Sequence, residues 1–175
     1  MFFIPGILIS LITFPGVIVH ELAHKLFCDF TKTKVLEVKY FRFGNPAGYV
    51  VHEIPTNVWK HMLIGVGPLF FNTCLGAFIG LASSPLRHAK GVGGVFFGLL
   101  TWLAVSIAMH SFPSTGDAKS IWSAIWSRNS PLLAKLIGTP VVGLIFLGAI
   151  GSIFWLDFFY GLGVVISFPL LMGWN

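Results

Sequence analysis

The chain alternates between long apolar stretches and short polar ones. Five apolar stretches approach the about 20 residues a helix needs to cross a bilayer. They run from Phe2 to about Phe27, from about Val58 to Ala82, from Gly91 to about Phe112, from about Leu136 to Leu156, and from Phe158 to Trp174. Only Asp157 parts the last two, which read as a tight helical hairpin or as one span with a half-buried tail. The pattern changes between the first two stretches. Val35–Phe43 and Tyr49–Ile54 are rich in β-branched and aromatic residues, and Gly44-Asn45-Pro46-Ala47-Gly48 between them is turn chemistry. This predicts a β-hairpin. An open sheet edge cannot face lipid, so the hairpin belongs at the membrane surface or against the bundle. From Asp117 to Lys135, Ile121, Trp122, Ile125 and Trp126 recur at helical spacing with Lys119, Arg128 and Lys135 around them, which predicts an amphipathic interfacial helix.

Composition strengthens the membrane reading. Of 175 residues, 55% are hydrophobic and 10% charged, where soluble domains carry about 25% charged residues. The expected class is an α-helical polytopic membrane protein with four to five transmembrane helices and a membrane-surface β-hairpin between the first two. One domain covers residues 1–175, with a core at about 10–125 and C-terminal helices at about 136–174. The formal net charge of +5 sits in the segments between spans, where topology and anionic lipid explain it; no basic stripe interleaved with aromatics suggests a nucleic-acid partner. The apolar N-terminus lacks a basic leading region and a small-residue cleavage site, and reads as a retained span. Cys28 and Cys74 form neither a CxxC motif nor a disulfide framework.

Lys25–Lys60 holds six bases and Pro113–Lys135 three, against Arg87 and Lys90 between the second and third stretches. Basic loops favour the cytoplasm. The expected orientation therefore puts the two richer segments inside and the N-terminus outside.

His20-Glu21-Leu22-Ala23-His24 is an HExxH motif. Side chains four apart share a helix face, so both imidazoles can reach one metal while the carboxylate between them takes a proton from water. Six His and three Glu placed at random would spell the motif by chance roughly three times in a thousand. Ionisable groups inside a span cost several kcal/mol unless paired or metal-bound; the alternative is that the span ends before His20. Asp117 is the leading third ligand. The first and third spans both end on the basic side, which brings Asp117 to the depth of the motif. Its local sequence also suits a helix N-cap. His110, seven residues earlier, competes as a ligand, or hydrogen-bonds to a ligand or an oxyanion. His52, His61 and His88 read as interfacial. Cys28, on the face of His24, reads as a small buried hydrophobe, and Asp157 falls on the opposite side of the membrane.

The motif resembles that of the site-2 protease group of intramembrane zinc metalloproteases. Two further elements follow in the same order: Gly67-Pro68-Leu69-Phe70-Phe71-Asn72, similar to a GPxxN element with one residue more, and Pro113-Ser114-Thr115-Gly116-Asp117, similar to a Pro-rich turn ending in a ligand Asp. The hairpin also matches that group's membrane-surface sheet. The chain departs from the group's pattern around the third ligand, where Gly116 precedes and Ala118 follows Asp117. The resemblance implies one zinc ion on His20, His24 and Asp117, and Glu21 as general base. Asn72 and His110 would position substrate or stabilise the oxyanion; for Asn72 the alternative is an interhelical hydrogen bond. The implied substrate is a membrane protein or membrane-associated peptide in the bilayer. A catalytically inactive membrane adaptor and a metal-binding transporter remain as alternatives; the transporter would need further ligands along the spans and an inverted repeat, and neither is visible.

Overall fold

A computed structural model describes residues 6–173, and its helices are α1 (Gly6–Ile12), α2 (Phe14–Thr31), α3 (Val58–Ser83), α4 (Val92–Met109), α5 (Thr115–Ile125), α6 (Leu132–Gly151) and α7 (Leu156–Leu171). Strands β1 (Val35–Lys39) and β2 (Tyr49–His52) pair antiparallel between α2 and α3, with an irregularity between Val35 and Glu37. Three helices, α3, α4 and α6, are long and apolar enough to cross a membrane, and the α1–α2 pair makes a fourth if taken as one broken span.

The first apolar stretch is not the continuous helix expected. It breaks at Thr13 into α1 and α2, bent by 89°; Phe2–Pro5 lie outside the described residues. Pro15 explains the break, because it has no N–H for the Leu11 carbonyl and its ring clashes with that turn. In the first turn of a new helix those defects cost nothing. The freed backbone groups find partners on α4: Trp102 Nε1 donates to the Ile12 carbonyl (3.2 Å), Ser106 Oγ to the Thr13 carbonyl (2.9 Å), and Gly16 N to Ser106 Oγ (3.0 Å). Backbone polar groups away from water need such partners. Gly16 is required for this approach, since a Cβ there would lie 1.9 Å from the Ser106 carbonyl oxygen.

The hairpin forms where expected, but its first strand stops at Lys39 and residues 40–48 become a long connection. The amphipathic helix also ends early, at Ile125, and a turn leads into α6 at Leu132 rather than Leu136. Ile121 and Ile125 of α5 are fully buried against Met62 of α3 and Val142 and Ile145 of α6, while Trp122 and Trp126 stay exposed.

The last two apolar stretches do not pack as a hairpin. Pro131, just before α6, lines a cleft with Trp59 at the beginning of α3, and Gly138 of α6 lies against Ile125 and Met62. Helix α7 takes over beside the second half of α3: Gly80 touches Val165, and Pro169 comes close to Ser83 and Arg87. The two helices thus follow one another along α3, interrupted by a short turn at Ser152–Phe154 and a left-handed residue at Trp155. Trp174 lies outside the described residues.

Candidate metal centre

Helix α2 presents His20 and His24 on one face. Their rings are 4.8 Å apart, and their Nε2 atoms 3.2 Å. Asp117 Oδ1 stands 3.6 Å from His24 Nε2. One potential ligand atom from each of His20, His24 and Asp117 lies within 4.8 Å of the others, and among the described residues this is the group of His, Cys, Asp or Glu side chains that converges in this way. A tetrahedral ion held at about 2.1 Å by each ligand would set the ligand atoms about 3.4 Å apart, close to the 3.2 Å between the imidazoles and the 3.6 Å from His24 to Asp117.

The far side of each ring settles its tautomer. His20 Nδ1 donates to the His110 carbonyl (2.7 Å), and His24 Nδ1 donates to the Ile64 carbonyl (3.0 Å). A carbonyl only accepts, so each Nδ1 carries hydrogen and each neutral ring turns a lone pair outward at Nε2. Two lone pairs 3.2 Å apart repel unless a cation lies between them or one ring takes a second proton. The donor set therefore suits a metal.

Both acceptors are available for local reasons. His110 caps the C-terminus of α4, where helix carbonyls lack partners. Ile64 lies four residues before Pro68, inside α3. Proline cannot donate back along the helix, so the Ile64 carbonyl is free for His24. A Pro68→Ala protein should bind metal about tenfold more weakly, as measured by competition with a chelator, because the restored N–H competes for that oxygen. Unchanged affinity would show that the ring is oriented by something else.

Asp117 does two things. It is the third residue of α5, where its Oδ2 accepts from Ser114 N (2.8 Å) while Ser114 Oγ accepts from Asp117 N (3.1 Å). This is a capping box with Ser114, not Asp117, as the N-cap. The other carboxylate oxygen is left for the histidines. Burial pulls the Asp117 carboxyl upward, but when the His24 ring carries a second proton that ring and the Ser114 donors outweigh burial and hold the carboxyl below the usual carboxylate range.

Glu21 is 8% exposed and lines a cavity of about 210 Å³ shared with His20 and His110. The connection before β2 closes over it: a Cβ on Gly48 would lie 2.6 Å from Glu21 Cγ. In the sequence Gly48 reads only as turn chemistry. His110 does not join the ligand group; its ring faces Thr13 Oγ1 at 3.3 Å and borders the cavity. Asn72 is fully buried and ties α3 to α4, its Nδ2 donating to the carbonyls of Ile107 (3.2 Å) and His110 (3.1 Å). The second of these is the same oxygen that orients His20. Cys28 is fully buried and outside the group. His61, expected at the interface, is 5% exposed and pairs with Ser120 Oγ at 2.7 Å.

Asp157 corrects an expectation. The order of apolar stretches puts it across the membrane from the motif. Instead it follows the turn between α6 and α7 and lines the same cavity as Glu21. The packing of α7 on α4 explains this, since Gly161 touches Met109, beside the C-terminus that orients His20.

Family models, curated proteins and solved structures were each compared with the chain, and none matches it.

Proposed function

We propose that the protein is a zinc-dependent intramembrane endopeptidase that hydrolyses a peptide bond in or near a transmembrane segment of its substrate. The observation that carries this is the pair of imidazoles, fixed by backbone carbonyls so that their lone pairs meet beside Asp117, next to a cavity holding the Glu21 carboxylate. Bound there, zinc supplies Lewis acidity toward water and a substrate carbonyl. Glu21 accepts the proton of the attacking water and passes it to the leaving amine. Asn72 holds the His110 carbonyl, and through it the His20 ring, while the His110 ring borders the space a substrate would occupy.

In this reading the α1–α2 pair, α3, α4 and the interrupted α6–α7 column make the crossings. The bases of residues 25–60 and 113–135 support a metal toward the cytoplasm and an N-terminus outside. Helix α5, with Trp122 and Trp126 exposed, lies at that interface.

The test is metal content and its removal. Protein purified in detergent should carry a single zinc ion and cleave membrane-associated peptides. 1,10-Phenanthroline should abolish cleavage, and added zinc should restore it. Protein that binds no divalent ion would refute the reading. A zinc protein that moves ions across liposomes without cleaving would favour the transporter.

A further inference from the structure

The cavity beside Glu21 is lined by a second carboxylate. Asp157 borders it together with Ser10 and Ser152, while Pro46–Gly48 and Phe112 supply apolar surface, and among the described residues no Lys or Arg takes part. Asp157 Oδ1 accepts from Phe158 N (2.9 Å), and among the described residues the side chain makes no ion pair. It stands in the first turn of α7, where the helix dipole favours negative charge. A half-buried carboxylate among apolar helices is costly without a cation, and the metal group already has its own carboxylate in Asp117.

We infer that Asp157 selects substrate by pairing with a lysine or arginine side chain next to the scissile bond. This rests on the peptidase reading. It fits the expected depth of the site, because transmembrane segments carry their Lys and Arg at the cytoplasmic end. The cavity, of about 210 Å³, accommodates one long side chain. Ser10 and Ser152 border the same space, and their hydroxyls can share the donors of the incoming cation.

The experiment uses the full-length Glu21→Gln protein in detergent, in which Asp157 is the remaining carboxylate of the cavity. Binding is measured by fluorescence anisotropy for two sets of peptides, identical except for lysine or norleucine at each successive position. Lysine at one position should tighten binding about tenfold. The advantage should vanish in Glu21→Gln/Asp157→Asn, persist in Glu21→Gln/Asp157→Glu, and turn to a preference for glutamate in Glu21→Gln/Asp157→Lys. Lysine and norleucine peptides that bind alike, or a lysine preference that survives Asp157→Asn, overturn the inference. Zinc is assayed in every variant. A protein without metal that keeps the Asp157-dependent preference would sink the peptidase reading and reduce Asp157 to a cation-binding residue with no scissile bond beside it.

Discussion

Glu21→Gln should lower the rate of peptide hydrolysis about a thousandfold while leaving a full complement of zinc. The amide is nearly the same size as the carboxylate, so the close approach of Gly48 to Glu21 Cγ is preserved. The metal group is made of other residues, and nothing in it depends on the Glu21 charge for geometry. Only the capacity to take up a proton is lost. Zinc by plasma emission and initial rates by mass spectrometry, on the same preparations, decide the matter. Hydrolysis at the wild-type rate would remove Glu21 from the chemistry. Loss of zinc along with activity would mean that the carboxylate belongs to the ligand set.

Asp117→Asn should weaken zinc binding more than about a hundredfold yet change thermal stability of the metal-free protein by less than about 1 kcal/mol. The contrast comes from the two jobs of this side chain. An asparagine oxygen still accepts from Ser114 N, so the capping box that starts α5 largely survives. The negative charge facing His24 does not survive. If Asp117 served only to cap, affinity and melting of the metal-free protein would both stay close to wild type, because the asparagine keeps the cap.

The convergence of His20, His24 and Asp117 was legible in the sequence because most of its information is local. His20, Glu21 and His24 lie within two helical turns, and Asp117 followed from comparing the ends of the first and third spans. The same kind of reasoning misplaced Asp157. Counting apolar residues reveals that a helix can cross, not where along a neighbour it stops, and α6 gives way to α7 beside the middle of α3. The break at Thr13 had a local sign in Pro15, but its size depends on Trp102 and Ser106, some ninety residues away. Gly48 looked like any turn glycine; only the folded hairpin brings it onto Glu21. Asn72 was noticed through the resemblance, and the pairing its amide makes with the His110 carbonyl is a tertiary fact that no window of sequence contains.

The imidazoles are steered by main-chain oxygens at 64 and 110 rather than by carboxylate or hydroxyl partners. An oxygen of the main chain is supplied by any amino acid. Position 64 can therefore drift among apolar residues of similar bulk without turning His24. What must persist is the imino acid four places later, whose missing hydrogen keeps that oxygen vacant. The orientation of the His24 ring is thus encoded by what one residue lacks.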